Sequence, residues 1–361
     1  MNSQKPSVVH VIDRLHAGGA ERVLTMQANL FYEKEHKVKV VTTVSEGPLR
    51  ELLHKNILFE CLHRKWKWNP VTMYRLVQAI KGFDVVHVHS SFNLRYLYLA
   101  TRLFFYPVKI FFQEHSGKIN IDKHVSPDKK FIYPKVTVIS VSEEIAKWVR
   151  EDAGVKPENV FVLPNIVMKQ DLPVMQKEHS GRIKLLLVSN FVPSKNIEFA
   201  IGLLQKLIDD GGNYSLTITG LKADENYYNK INALVKENKL ESYISIISDC
   251  YNVQPLLQQY DLAIHTTKYE SGPLVLAEYM AQALPFVSYN TGQVIETIKE
   301  QMPESVVYSF DMNEWKHKIE NILAANRGTL QKKLENIFSN FFSADAYYEK
   351  CVSIYCGEGK K

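Results

Sequence analysis

Short runs rich in β-branched and aromatic residues alternate with segments of helical spacing along most of the chain. In the first half the sequence predicts strands at Val8–Asp13, Val38–Thr43, Ile57–His63, Val85–His89, Val108–His115, Val136–Ser142 and Val160–Pro164. Several of these runs are continuously apolar, the pattern of parallel strands covered on both faces. Between them, Ala20–Tyr32 and Met73–Ile80 carry apolar residues at the spacing of one helical face. This β–α–β rhythm predicts an open parallel sheet flanked by helices.

The rhythm lapses over Met168–Gly181, a polar stretch with Pro173 and Gly181 that reads as an interdomain linker. It restarts with strands predicted at Ile183–Ser189, Ser215–Thr219, Ile244–Ile247, Leu262–Thr266, Phe286–Tyr289 and Val306–Phe310. The expected organisation is two α/β domains, residues 1–172 and 173–340, followed by a segment at 341–361 whose spacing is again helical. No internal repeat or low-complexity segment interrupts this pattern. Ligands of doubly wound sheets bind outside the carboxyl ends of the strands, so two such domains facing each other would share one cleft.

A length of 361 residues is too great for one ordinary core and fits two domains. With 45% hydrophobic and 23% charged residues the composition is that of a soluble globular protein. Cys61, Cys250, Cys351 and Cys356 form neither a disulfide framework nor a zinc ligand set, which favours a reducing cytoplasm. The first residues run into a predicted strand without a signal-peptide pattern. The most apolar stretch, Leu94 to Phe112, is broken by Arg95, Arg102, Pro107 and Lys109 and does not read as a spanning helix. The net charge of +5 is unevenly spread: residues 1–176 hold 25 Lys and Arg against 17 Asp and Glu. A basic first half suits an anionic partner such as a membrane surface, a lipid phosphate or a nucleic acid.

Candidate chemistry lies mostly at predicted strand ends. Gly18-Gly19 precedes a helix, where glycine lets a backbone approach a phosphate and the helix terminus adds positive potential. The spacing is not the Gly-x-Gly-x-x-Gly dinucleotide fingerprint, and a plain tight turn explains it equally well. In the second half, KYESGPLVLAEYM places Glu270 in a turn and Glu278 inside a helix predicted to start near Pro273. Amides at such a helix start can hold a diphosphate, with the two glutamates accepting from sugar and ribose hydroxyls. The alternative is a glutamate that favours the helix dipole and another solvated on the surface. The HRKWKWNP stretch, with Arg64, Lys65, Trp66, Lys67 and Trp68, suits a membrane interface, an acceptor sugar or an ordinary surface loop. A second basic loop runs from Lys118 to Lys130. No nucleic-acid motif accompanies either loop, so nucleic acid is not expected as a partner.

Four landmarks occur in order: GGAER at 18–22, EHS at 114–116, SNFVPSKN at 189–196 and ESGPLVLAE at 270–278. In these the chain resembles the retaining glycosyltransferases of the GT-B fold, specifically glycosyltransferase family 4 (glycosyl transferases group 1), over nearly its whole length. The resemblance implies an α/β fold with two Rossmann-like doubly wound domains facing across a cleft, and a terminal helix (341–361) packed back on the first domain. It implies catalytic or donor contacts for particular residues. Gly18 and Gly19 would approach the donor phosphates, His115 the donor sugar, and Lys195 the diphosphate leaving group. Glu270 would contact sugar hydroxyls, Glu278 the ribose, and Gly272 and Leu274 would supply backbone near the phosphates. Asn190 stands where the family often has arginine; its amide donates hydrogen bonds without charge. Pro273 stands where glycine is frequent and removes one N–H.

The activity so implied is transfer of a hexose or N-acetylhexosamine from a nucleoside-diphosphate sugar, UDP foremost, to a glycan or lipid-diphosphate-linked glycan. A bacterial polysaccharide pathway at the inner face of the plasma membrane fits this, with peripheral contact to an anionic membrane as a further expectation. The resemblance implies that no metal or other cofactor is needed, in agreement with the absence of a convincing Asp-x-Asp motif. A GT-B sugar-nucleotide epimerase and a non-catalytic GT-B binding subunit remain open as alternatives.

Overall fold

A computed structural model describes residues 5–16, 18–115, 123–173, 181–270 and 272–357. The chain divides into two compact units: Met1–Ile166 with Ala344–Lys361, and Val167–Ser343.

In unit 1 the strands are β1 Val8–Ile12, β2 Val38–Thr42, β3 Leu58–Cys61, β4 Val85–Val88, β5 Ile110–Glu114, β6 Thr137–Ser140 and β7 Val160–Val162. The helices are α1 Gly19–Glu33, α2 Pro70–Ile80, α3 Ser91–Leu103, α4 Pro127–Ile132 and α5 Glu143–Glu151. The strands pair in parallel in the order β3-β2-β1-β4-β5-β6-β7. β1, β4 and β5 are buried at every position, which explains why apolar residues predominate in them. Val9, Val11, Val86, Val88 and Phe112 share one core with residues of α2 and α3, such as Leu76, Val77, Leu94 and Leu97.

The alternate positions of β1 and β4 carry His10 and His87, a polar layer inside the fold. The terminal helix, Ala344–Cys356, lies against this layer and α1. His87 Nδ1 is 2.7 Å from the Tyr355 hydroxyl, and Gln27 Nε2 donates to the Tyr347 hydroxyl at 2.8 Å. This helix starts later than the spacing of residues 341–355 suggests, because the preceding helix runs to Phe341 and Phe342 sinks into the core of unit 2.

Unit 2 contains β8 Ile183–Val188, α6 Ile197–Asp209, β9 Tyr214–Gly220, α7 Glu225–Glu237, β10 Ile244–Ser248 and α8 Gln254–Leu257. It continues with β11 Leu262–His265, α9 Leu274–Ala281, β12 Phe286–Tyr289, α10 Gln293–Gln301 and β13 Val306–Val307. Helices α11 Met312–Ala324 and α12 Arg327–Phe341 close it, and α13 is the terminal helix Ala344–Cys356 of unit 1. The sheet is parallel, in the order β10-β9-β8-β11-β12-β13. Of the stretch read as a linker, residues 168–173 belong to this unit: Gln170 N donates to Gln254 Oε1 at 3.0 Å, and Gln282 Nε2 donates to Gln170 O at 2.9 Å. Residues 174–180 lie outside the described ones.

Both sheets are two-layer-covered α/β sheets whose strand order reverses once in the middle, between β1 and β4 and between β8 and β11. At such a reversal the loops after the two central strands diverge to opposite faces and leave a crevice. Among the described residues no helix is long and apolar enough to cross a membrane.

Candidate active site

In unit 2 the reversal brings together two of the sequence landmarks. After β8 the chain is anchored by the fully buried Phe191, then makes a tight turn over Pro193–Lys195 that ends on Asn196 in the left-handed conformation. Gly220, at the end of β9, has φ +156°, and a Cβ there would stand 1.9 Å from the Ser189 carbonyl oxygen. Only glycine permits that approach, which seats the loop beginning at Asn190. Asn190 is half-buried, and its Oδ1 lies 3.4 Å from the Leu221 amide.

The loop after β11 is tied to this turn by its backbone. Thr266 Oγ1 donates to Lys195 O at 2.9 Å and Lys268 N to Ser194 O at 2.9 Å. Lys195 Nζ donates to Glu270 Oε2 at 2.7 Å, a partly buried ion pair. Glu270 N donates to Thr291 Oγ1 at 3.2 Å, and Gly292 (φ +82°) fits under Pro273, where a Cβ would come within 2.6 Å of its Cδ.

A histidine that the sequence reading passed over completes the group. His265 Nε2 lies 3.5 Å from Glu270 Oε2, and its Nδ1 is 3.0 Å from Ser288 Oγ. Burial raises the proton affinity of the Glu270 carboxyl, but Lys195 and then His265 outweigh it and hold the pKa at about 2. Burial lowers that of His265 against the opposing pull of Glu270. The available signal was a polar side chain closing an otherwise apolar strand, LAIH, five residues before the glutamate.

Pro273 is the N-cap of α9 rather than a residue of its first turn, and Leu274 is the first helical residue. Gly272 is buried and Leu274 half-buried. Glu278 sits within α9 at 2% exposure, so it is not a solvated surface residue. Ser271 of the same motif lies outside the described residues.

Unit 1 holds the remaining candidates. Gly18 caps α1 and Gly19 is its first residue. Neither has a positive φ, and a Cβ on Gly19 would meet no atom of the described residues within 4 Å. The fold itself therefore does not demand glycine at 19. His115 follows β5; its ring stacks on His89 with centroids 5.8 Å apart, and burial lowers its pKa to about 4. It is neutral near pH 7. Ser116 and residues 117–122 lie outside the described residues, so the basic loop from Lys118 to Lys130 is seen only from Lys123.

One group among the described residues has the types and spacing of metal ligands: His10, His87 and His89, all buried, with one nitrogen from each within 4.8 Å of the others. His10 Nδ1 and His89 Nε2 are 3.1 Å apart. A metal taken by these facing nitrogens would leave His10 Nε2 and His89 Nδ1 as the outer ring nitrogens, and neither has a hydrogen-bond partner among the described residues. Metal-bound histidines ordinarily fix that outer N–H to an acceptor. The pair is therefore read as two neutral imidazoles sharing a hydrogen bond.

The basic loop at 64–68 divides in two. Arg64 is a correction to the surface reading: its guanidinium lies 4.3 Å over Phe92 and 5.2 Å over Tyr96, 3.6 Å from Asp13 Oδ1. Its side chain is 11% exposed, so it staples the loop inward. Lys65, Trp66, Lys67 and Trp68 are exposed.

Residues 17–169 match the family model Glycosyltransferase Family 4, and residues 169–340 match Glycosyl transferases group 1. The chain is similar to the putative glycosyltransferase EpsF of Bacillus subtilis (strain 168), at 26% identity over 313 residues and 80% of each chain. A poly(ribitol-phosphate) alpha-N-acetylglucosaminyltransferase of Staphylococcus aureus (strain COL) is 22% identical over 205 residues, 55% of this chain and 40% of the relative. Among solved structures, Anabaena Alr3699/HepE in complex with UDP and glucose superposes with a TM-score of 0.81 at 15% identity, over 97% of this chain and 99% of that one. A glycosyltransferase from Rickettsia africae does so with a TM-score of 0.80 at 18% identity, over 99% and 100%. Likeness at these identities establishes the shared two-sheet GT-B fold.

Proposed function

We propose, from the premise that this chain belongs to the family 4, group 1 glycosyltransferases of the GT-B fold, that it moves a hexose or N-acetylhexosamine from a UDP-sugar to a glycan or lipid-linked glycan with retention at the anomeric carbon. The observation that carries this reading is the Lys195–Glu270–His265 group at the β8/β11 reversal. It sets one cation and one ionised carboxylate side by side where a doubly wound sheet receives its ligand.

In this reading Lys195 faces the diphosphate, with Asn190 adding amide hydrogen bonds but no charge. Glu270 accepts from sugar hydroxyls, Glu278 from the ribose, and the backbone at Gly272 and Leu274 approaches the phosphates. Unit 1 contributes His115, whose neutral imidazole suits a hydroxyl partner, and the Gly18-Gly19 turn. The bond between the anomeric carbon and the diphosphate breaks, and its electron pair leaves with UDP. Lys195 stabilises the charge that develops there. The acceptor hydroxyl attacks the oxocarbenium-like carbon from the vacated face, and its proton passes to the departing phosphate. The lysine supplies the positive charge at the leaving group, so the step calls on no divalent ion; undiminished turnover in chelator is the expected outcome. A lipid-diphosphate-linked acceptor in bacterial polysaccharide assembly places the work at the cytoplasmic face of the plasma membrane.

The test is a panel of nucleotide sugars screened for thermal stabilisation, since a ligand of the native state raises its stability. Turnover with the best donor then follows, with the product anomer read by NMR. A UDP-sugar that stabilises the protein and yields an acceptor-dependent α-glycoside from an α-donor supports the proposal. Donor conversion without any acceptor indicates an epimerase instead, and binding without turnover indicates a non-catalytic subunit.

A further inference from the structure

His265 closes β11 at 1% exposure, and in the sheet register it faces Ser288 of β12, itself fully buried. The Ser288 hydroxyl has one proton, which it donates to Tyr289 O at 3.0 Å. Its oxygen is therefore left to accept from His265 Nδ1, also 3.0 Å away, which fixes the ring proton on Nδ1. A neutral His265 then turns the bare lone pair of Nε2 towards Glu270 Oε2 at 3.5 Å, and that nitrogen makes no hydrogen bond among the described residues. Two acceptors face each other there, one of them buried, with a place for one proton between them.

Lys195 stands in for that proton. Its Nζ donates to the same Oε2 at 2.7 Å and supplies the counter-charge. Burial disfavours a charged His265, Glu270 from the loop after β11 favours it, and Lys195 from the turn after β8 opposes it. β12 faces the ring with the neutral Ser288. The proposed function directs Lys195 at the donor diphosphate, and that movement alters each of these influences in one sense. The ammonium leaves Oε2, so its opposition falls and a partly buried carboxylate loses its counter-charge. The arriving phosphates add negative charge nearby. Among the described residues, His265 is the remaining titratable group paired with that carboxylate.

We infer that His265 is a positioning residue that becomes the counter-ion of Glu270 in the donor complex: as Lys195 turns to the diphosphate, the ring takes a proton from solvent at Nε2 and donates it to Glu270 Oε2. The carboxylate keeps its other oxygen for the sugar hydroxyls. When UDP leaves and Lys195 returns, the proton goes back to solvent. The inference rests on the proposed donor site, and the ring's protonation in the protein alone is measured separately from any binding.

Titration calorimetry is run with UDP-glucose, UDP-galactose and UDP-N-acetylglucosamine, whose diphosphates do not titrate near neutral pH, in buffers of different ionisation enthalpy. The expected result is uptake of about one proton per UDP-sugar bound. A proton held more tightly in the complex makes low pH favour the complex, so affinity falls as pH rises, by up to about tenfold per pH unit. Long-range nitrogen–proton NMR of the ring, assigned by its loss in His265→Gln, shows the Nδ1–H tautomer without UDP-sugar and the doubly protonated ring with it. His265→Gln keeps a donor to Glu270 but carries no charge. It binds UDP-sugar roughly tenfold more weakly, without proton uptake and without that pH dependence. The wild-type calorimetry carries the test should the buried substitution not fold. An Nε2–H tautomer in the protein alone overturns the inference whatever the donor does. UDP-sugar binding without proton uptake overturns it too, as does uptake with His265 still neutral, which assigns the proton to Glu270; either result leaves the transfer reading standing. A protein that holds the Nδ1–H tautomer yet binds none of the three UDP-sugars defeats the donor reading, and the inference falls with it.

Discussion

Mild acid should destabilise unit 1 through its buried histidine layer, and His10 gives the magnitude. The side chain is fully buried, and burial lowers its pKa to about 3. In the unfolded chain a histidine titrates near 6.5. Above that value both states are neutral at this residue and its contribution to stability is complete. As pH falls below about 6.5 the unfolded chain takes up a proton that the folded chain refuses until about 3. Each pH unit in that window costs about 1.4 kcal/mol, so at pH 5 the loss is about 2 kcal/mol from His10 alone. His87 and His89 are pushed down by burial and by their histidine neighbours, so they add in the same direction. Set against a typical 5–15 kcal/mol for a whole domain, this is a large share. The assay is urea unfolding at pH 7, 6 and 5 for wild type and His10→Gln. The amide keeps a partner for His89 and does not titrate. Wild type should lose stability with acid more steeply, by about one proton's worth of slope. Identical losses between pH 7 and pH 5 in the two proteins would refute a neutral, buried His10.

The remaining predictions concern the site. Lys195→Ala should lower kcat roughly 10²- to 10³-fold, the cost of removing one preorganised group facing developing charge; wild-type turnover would show that the diphosphate lies elsewhere. Calorimetry should find Glu278→Gln weakening UDP and UDP-sugar alike, and Glu270→Gln weakening only the UDP-sugar; equal losses for UDP in both variants would sink the assignment. Gly19→Ala should leave stability unchanged or raise it by up to about 1 kcal/mol, because open space surrounds the added methyl and alanine favours the helix. The same variant should bind donor more weakly, and undiminished donor affinity would return Gly19 to a plain turn.

How far the sequence could be read depended on the physical origin of each signal. Central strands such as β4 and β11 were legible because burial on both faces leaves short, mostly apolar runs rich in β-branched residues and bounded by breaks in the pattern. Strand ends were not. The run Ile57–His63 shortens to Leu58–Cys61, with His63 turning into a left-handed conformation at φ +52°. The run Val306–Phe310 keeps only Val306–Val307, because Tyr308 N turns to donate to Glu314 Oε1 at 3.0 Å beside the start of α11. Lys195 and Glu270 were individually visible in their motifs, but their ion pair was not. They are 75 residues apart and meet only because β8 and β11 are neighbours in the sheet. His265 was hidden by its apolar strand, and Arg64 was misread because a cation over aromatic rings leaves no mark in a charge count.

The Lys195–Glu270 pair also bears on which part of the donor the site selects. Glu270 is ionised at any working pH, held so by the lysine that the proposed mechanism directs at the diphosphate. A diphosphate arriving beside that carboxylate gains from Lys195 and loses from Glu270, so the nucleotide half alone draws a divided return from the pair. In the proposed binding mode a sugar ring would change the balance. Its hydroxyls would donate to Glu270, and charge-assisted hydrogen bonds to a carboxylate are among the stronger polar contacts available to a protein. Lys195 would then be free to favour the phosphate, with an attraction that grows as the bond to the sugar breaks and charge accumulates on UDP. On this proposal, binding energy taken from the sugar hydroxyls would offset the cost of separating an ion pair, and the released cation would act where the transition state needs it. His265, whose Nδ1 meets Ser288 Oγ, stands 3.5 Å from the same carboxylate, and on this proposal it would stay beside Glu270 when the lysine turns to the diphosphate.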